Sequence, residues 1–218
     1  MQRILEPEVM DTWQEAIEYD AMDFTQVNRA FAESVIQLAP PAPATILDAG
    51  TGTARIPIFI AQMRPNWQIT CIDLSENMLK IGAENIEKAG LESQINLQLI
   101  DAKKMPYPDA HFDLVISNSI VHHLSDPLPF LCEIKRVLKP AGAIFLRDLL
   151  RPASSQIVDS LVKQYAGDCN EHQKQLFCDS LHAAFTLEEV QQMIEKAGLE
   201  NIKVYQSSDR HWTAERKI

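Results

Sequence analysis

Short apolar runs alternate with segments of helical spacing along the middle of the chain. The runs predict five β-strands, and the segments between them predict helices that begin near Thr53, Ser75 and Leu128. The predicted strands cover residues 45–48, 68–73, 95–100, 112–117 and 143–146. Strands that alternate with helices in this way indicate βαβ units, so we expect an α/β fold with a doubly wound, mostly parallel sheet.

The segments on either side of this alternation predict additions to one domain, residues 1–218. Residues 1–40 look helical and are expected to form an N-terminal helical cap before the core at 44–150. Residues 151–185 are expected to be a helical insertion. In the last segment, 186–218, a capped helix precedes two short strands, which we expect to complete a seven-stranded sheet as an antiparallel hairpin.

Composition narrows the classes of partner. The chain has 30 acidic and 20 basic residues, a net charge of −10, which disfavours binding to nucleic acid. The longest apolar stretch, residues 56–63, is too short to span a membrane, and we expect a cytoplasmic protein. The four cysteines lack metal-ligand spacing, so no metal site is predicted.

Glycine is scarce, with seven in 218 residues, yet two of them lie in the turn after the first predicted strand. This turn reads DAGTGTA at 48–54, where a backbone without side chains can approach a ligand closely. A dinucleotide fingerprint would need a small residue at Arg55, and no Lys-Ser/Thr pair follows for a phosphate loop. Asp73 follows Gly52 by 21 residues, the spacing of a carboxylate that binds ribose hydroxyls.

Five segments in order resemble the motifs of class I S-adenosylmethionine-dependent methyltransferases, of the small-molecule, methyltransferase-11-like type. They are DAGTGTA at 48–54, CIDLSENML at 71–79, residues 100–109, FDLVISNS at 112–119 and EIKRVLKPAG at 133–142. The resemblance implies a Rossmann-like fold, S-adenosyl-L-methionine as cofactor and S-adenosyl-L-homocysteine as product. The cofactor-binding residues that it implies are Asp48, Gly50, Thr51, Gly52, Asp73, Leu74, Met78, Asp101, Ala102, Asn118 and Ser119.

Residues near the ends of the fourth and fifth strands are candidates for the acceptor side. His122 or His123 is predicted to act as a general base or to orient the acceptor, although the backbone could equally satisfy both at a helix start. Arg147 and Asp148 are predicted either to hold the substrate or to pair with each other. Tyr19 is a further candidate for contact with the substrate, and Tyr19 and Asp20 are predicted to belong to a lid over the cofactor.

The resemblance implies transfer of a methyl group to a small-molecule acceptor, whose identity and reacting atom the sequence leaves open, as it does the oligomeric state. One alternative is a module that binds S-adenosylmethionine without transfer. The other is a nicotinamide-dependent oxidoreductase, which Arg55 and the lack of a recognisable catalytic Tyr-Lys pair disfavour.

Overall fold

A seven-stranded sheet forms the centre of the protein. The structure, a computed structural model, describes residues 1–6, 12–39 and 42–218. The strands are β1 (Ala44–Ala49), β2 (Trp67–Asp73), β3 (Ile95–Leu99), β4 (Phe112–Asn118), β5 (Leu138–Leu149), β6 (Lys203–Gln206) and β7 (His211–Arg216). Their order is β3-β2-β1-β4-β5-β7-β6, and all neighbours are parallel except those of β7. The predicted mostly parallel sheet with a C-terminal antiparallel hairpin is confirmed.

Helices cover both faces of this sheet. They are α1 (Trp13–Asp20), α2 (Thr25–Val35), α3 (Arg55–Met63), α4 (Glu76–Ala89), α5 (Leu128–Val137), α6 (Ser155–Ala166), α7 (Glu171–Ala183) and α8 (Leu187–Ala197), with a short 3₁₀ helix at Val121–His123. Local sequence determines several of their ends. The Ser75 hydroxyl caps α4, and Gly90 in the left-handed conformation ends it.

The core is divided between the two faces because side chains alternate along each strand. On one face, Leu47 and Val115 pack with Phe130 of α5 and Val190 of α8. On the other face, Ile46, Leu114 and Phe145 pack with residues of α2 and α3. Both sides of the central strands are therefore buried, which explains why their sequences are almost continuously apolar.

The N-terminal segment differs from the expected cap. Helices α1 and α2 are present, but residues 1–6 are not helical. Ile4 instead donates its backbone N–H to the carbonyl oxygen of His182 at the end of α7. A helix throughout residues 1–40 was therefore a wrong expectation, since tertiary contacts hold the first residues in an irregular path. Residues 7–11 and 40–41 lie outside the described part of the chain.

The carboxyl ends of β1, β2 and β4 meet at one edge of the sheet. Strand order reverses beside β1, because β2 lies on one side of it and β4 on the other. In doubly wound sheets such a reversal separates the loops that follow the strands and leaves a crevice between them. The glycine turn and Asp73 both lie at this edge.

Candidate functional site

The loop after β1 has a backbone that only small residues adopt easily. Gly50 and Gly52 have φ values of +76° and +55°, and Ala54, just before α3, also has a positive φ of 61°. A Cβ on Gly50 would lie 2.9–3.2 Å from the side chain of Ile120. The peptide N–H groups of Gly50 and Thr51 both bond to the carbonyl of Ile72 in β2, which fixes the loop against the next strand.

Asp73 ends β2 and faces this loop. Its Oδ2 accepts a hydrogen bond from Gly52 N at 2.8 Å, and its Oδ1 accepts one from Ser75 N at 2.9 Å. Burial raises the pKa of Asp73 above its ordinary value, while these backbone N–H groups act against the rise. Each carboxylate oxygen retains a second lone pair, so Asp73 can still accept hydrogen bonds from two ligand hydroxyls.

Asp101 follows β3 on the same edge, beside Ala102. Its Oδ1 accepts the Lys103 backbone N–H at 2.8 Å and lies 3.0 Å from the Lys103 ammonium. Burial alone would raise the pKa of Asp101, but the hydrogen bonds and charge of Lys103 hold it below the usual range. Asp101 is therefore ionised at neutral pH and can accept a hydrogen bond from an amino group.

Asp48 lies deeper, at the end of β1, and only 3% of it is exposed. Thr51 donates its hydroxyl to Asp48 Oδ2 at 2.7 Å. Burial raises the pKa of Asp48 to about 7, since only that hydroxyl opposes the cost of desolvation. Asp48 and Thr51 line a small side pocket of about 30 Å³, together with Tyr19 and Asn118. A cationic ligand there would favour the ionised carboxylate.

A cavity of about 770 Å³ brings most of the predicted site residues together. The predicted residues that line it are Tyr19, Gly50, Gly52, Asp73, Leu74, Met78, Asp101, Ala102, Asn118, Ser119, His122 and His123. Apolar side chains also line it, among them Leu124, Leu149, Leu176 and Phe177, together with polar ones such as Gln173. Polar and apolar groups thus share one space, whose volume is within the range of small-molecule sites.

Helix α1 forms one wall of this cavity through Tyr19. The Asp20 carboxylate accepts two hydrogen bonds from the Arg55 guanidinium, at 2.9 and 2.7 Å, and one from the Asn85 amide at 3.0 Å. Burial and nearby carboxylates raise the pKa of Tyr19 to about 12, so it stays a neutral phenol. Asp20 therefore anchors the helix that carries Tyr19 at the cavity, and the lid role of Tyr19 stays a prediction.

The predicted histidines follow β4 in the 3₁₀ helix, and Asp148 of β5 holds them there. Asp148 is wholly buried and accepts the backbone N–H groups of Val121 and His122, at 2.5 and 3.2 Å. Its Oδ1 also bonds to Nδ1 of His122. Burial alone would raise the pKa of Asp148, but the charge and hydrogen bond of His122 hold it below the usual range.

Of the two alternatives for Arg147 and Asp148, pairing with each other does not fit the geometry, since each has other partners. Consecutive side chains of a strand point to opposite faces of the sheet. Arg147 therefore lies over the rings of Phe31 and Phe145, at 5.4 and 5.2 Å from their centroids. Neither Arg147 nor Asp148 is among the described residues that line the cavity, so a direct contact of either with the acceptor receives no support from this geometry.

Two contributors to the site were missed from the sequence. Glu6 places Oε1 3.3 Å from Nε2 of His122 and 3.1 Å from Nδ1 of His123. Arg3 bonds to the carbonyl oxygens of His122 and Leu124, at 2.9 and 2.8 Å, and lies over the Phe185 ring. No sequence spacing could have connected residues 3 and 6 with a site that follows β4.

The fold and the loops define a doubly wound α/β protein with a nucleotide-type cofactor cleft at the switch point of the sheet. The model of a methyltransferase domain matches residues 47–146. The part of the chain that carries the glycine loop, Asp73 and Asp101 is therefore the part that this family model describes.

Known proteins are similar to the chain over different lengths. Demethylmenaquinone methyltransferase from Bacillus cytotoxicus is 28% identical over 94% of this chain and 92% of that protein. The Listeria welshimeri protein of the same name is 37% identical over 110 residues, 49% of this chain, and the match spans only 45% of its own length.

The crystal structure of an S-adenosylmethionine-dependent methyltransferase from Aquifex aeolicus has the same fold, with a TM-score of 0.69 and 22% identity over 94% of this chain and 97% of that one. The domain model, this relative and this structure are all methyltransferases, and the likeness of the chain to them supports a class I S-adenosylmethionine-dependent methyltransferase. No helix in the described part of the chain is long and apolar enough to cross a membrane.

The residues present fit the family's cofactor. At Gly52 a Cβ would fill space between the loop and the Tyr19 ring, which lies 3.6 Å from that position, and Asp73 presents a carboxylate beside it. S-adenosyl-L-methionine supplies an activated methyl group on a sulfonium. Among the described residues, those that would hold it are Asp73 at the ribose hydroxyls, Asp101 at the adenine amino group, and Asp48 and Asn118 at the methionine end.

Proposed function

We propose that the protein transfers the methyl group of S-adenosylmethionine to a small-molecule acceptor, with S-adenosylhomocysteine as product. The observation that carries the proposal is the single cavity into which both Asp73 and the His122–His123 pair open. An acceptor that contacts the two histidines would occupy the same cavity as a cofactor whose ribose hydroxyls bond to Asp73. Such an arrangement supports a direct displacement between two bound molecules.

The protein's contribution to this reaction is mainly positioning and exclusion of water. The nucleophilic atom of the acceptor bonds to the methyl carbon, the carbon–sulfur bond breaks, and its electron pair stays on the sulfur. Tyr19 on α1 covers the glycine loop, since a Cβ on Gly52 would come within 3.6 Å of its ring. The prediction that His122 or His123 removes a proton from the acceptor stays a prediction.

For the acceptor we propose a flat, largely apolar molecule of the quinol class. Leu124, Leu149, Leu176 and Phe177 line the cavity and offer apolar surface against which such a ring can pack. The curated relatives from Listeria and Bacillus are named for methylation of demethylmenaquinone. Because the transferred methyl group is electrophilic, the reduced form of such a ring would be the nucleophile.

Calorimetry and product assays test this proposal in turn. We expect heat on titration with S-adenosylmethionine, and Asp73→Asn should weaken binding at least tenfold, about 1.4 kcal/mol. Asp159→Asn on the exposed face of α6 is the matched control and should bind like the wild type. The bound protein should then form S-adenosylhomocysteine when reduced demethylmenaquinone is added.

Each step can fail separately. An Asp73→Asn variant that binds as tightly as the wild type would contradict the ribose assignment. Tight binding without product from the quinol, but with product from another acceptor, would overturn the acceptor class alone. Tight binding without product from any acceptor would support the binding module instead, and no binding at all would refute the proposal.

A further inference from the structure

Three potential metal ligands converge at the acceptor side of the cavity. They are Oε1 of Glu6, Nε2 of His122 and Nδ1 of His123, all within 4.8 Å of one another. The side chains of Glu6 and His122 are only 8% and 4% exposed. They come from an irregular N-terminal segment and from the 3₁₀ helix after β4, so the fold rather than local sequence brings them together.

The charges around His122 favour a cation between it and Glu6. Nδ1 of His122 is bonded to the buried Asp148 carboxylate, which directs Nε2 towards Glu6. Nε2 of His122 and the Glu6 carboxylate oxygen therefore face each other at 3.3 Å. Glu6 and Asp148 bring two carboxylates to the cluster and Arg3 brings one guanidinium, so that the acidic groups outnumber the basic one around a bound cation.

Distances and ligand types indicate which ion fits. Zinc bonds to imidazole nitrogen and carboxylate oxygen at roughly 2.0–2.1 Å, which separates tetrahedral ligand atoms by about 3.3 Å. Glu6 Oε1 lies 3.3 and 3.1 Å from the two histidine nitrogens. Asp148 behind His122 corresponds to the carboxylate that orients and polarises metal-bound histidines in known sites.

We propose that Glu6, His122 and His123 bind a divalent first-row transition metal ion, with Zn²⁺ as the best fit. Three protein ligands leave a fourth position, and both histidines line the cavity. The site would accept an oxygen of the acceptor there. The inference gives the two histidines the role of ligands in place of a base, and metal binding itself does not depend on methyl transfer.

The N-terminal segment is held firmly enough to supply a ligand. Arg3, three residues before Glu6, bonds through its guanidinium to the carbonyl oxygens of Ala183, His122 and Leu124. Ser180 of α7 donates its hydroxyl to the second oxygen of Glu6 at 3.1 Å. These contacts keep Oε1 directed at the histidines without occupying it.

Metal titration of the full chain tests the site. After treatment with a chelator, the protein should bind one equivalent of Zn²⁺ in competition with a chromophoric chelator, and Co²⁺ should give the absorption spectrum of a low-coordinate nitrogen–oxygen site. Glu6→Gln should weaken Zn²⁺ binding at least tenfold. Glu18→Gln is the matched control, because Glu18 pairs with the exposed His172 at 3.4 Å and should have no effect.

Thermal unfolding distinguishes the loss of a metal ligand from misfolding of the variant. Zn²⁺ should raise the midpoint of the wild type and of Glu18→Gln but not that of Glu6→Gln, whose midpoint without metal should stay close to the wild type. Absence of stoichiometric binding, or equal affinity in Glu6→Gln, would overturn the inference. Calorimetry with S-adenosylmethionine on the metal-free protein shows separately whether the cofactor site functions, so the two proposals can fail independently.

Discussion

The two ends of the cavity are constructed differently. At the end lined by Gly52, Asp73 and Asp101, here called the cofactor end, backbone N–H groups of Gly52, Ser75 and Lys103 hold the two carboxylates within loops that directly follow strands. At the end lined by His122 and His123, here called the acceptor end, the groups come from residues 1–6, the 3₁₀ helix and α7, which are distant in sequence. The cofactor end is thus determined by local backbone geometry, and the acceptor end by tertiary contacts that can vary without changing the sheet.

The largest effect should come from breaking the local geometry at the cofactor end. Gly50→Ala should lower the free energy of unfolding by about 3 kcal/mol, because a left-handed backbone costs about 1–2 kcal/mol and crowding against Ile120 adds to it. Gly90→Ala is the control, since its φ is also positive but no atom lies within 4 Å of the new Cβ. Chemical denaturation measures both, and equal losses would show that the contact with Ile120 is unimportant.

The next effect, about half as large for each pH unit, should come from the protonation of Asp48. Its pKa of about 7 is above the ordinary value, so folding favours the protonated form. Stability from this group is present in full below about pH 4 and is lost as pH rises through 7, by at most about 1.4 kcal/mol per pH unit.

Binding of the cationic cofactor should depend on pH in the opposite sense, because it favours the ionised Asp48. Affinity should rise between pH 6 and 8, with release of a proton that calorimetry in buffers of different ionisation enthalpy detects. Asp48→Asn should remove this part of the pH dependence. A variant that retains the full dependence would assign it to another group.

The smallest effect should come from the anchor of the lid. Arg55→Ala removes a salt bridge to Asp20. Because the Arg55 side chain is half exposed, the free energy of unfolding should change by less than about 1 kcal/mol. Cofactor release should nevertheless become a few-fold faster, which displacement kinetics followed by Trp13 fluorescence can measure. Arg29→Ala, which removes the exposed pair with Glu33, should leave the release rate unchanged. Equal rates in all three proteins would show that α1 does not control release.

The same contrast explains what the sequence could predict. Alternating apolar runs are local signals, and they predicted the strands of the sheet. The fixed spacing between a glycine pair and an acid is also local, and it predicted that Asp73 lies close to Gly52. Period-two alternation could also have shown that Arg147 and Asp148 face opposite sides of β5. By contrast, the contacts of Glu6 depend on where the chain returns in three dimensions, and no periodicity records that.

Because α1 is anchored at Asp20, a small rotation there is magnified at the opposite end of the helix. Arg55 and Asn85 both hold this last residue of the helix, while Trp13 at the other end is exposed. Eight residues of helix are about 12 Å long. A rotation of about 20° at the anchor would therefore move the far end by about 4 Å, roughly the thickness of an aromatic ring. A passage of that width can open only if Ala16 leaves its packing against Met78 and Ile81 of α4.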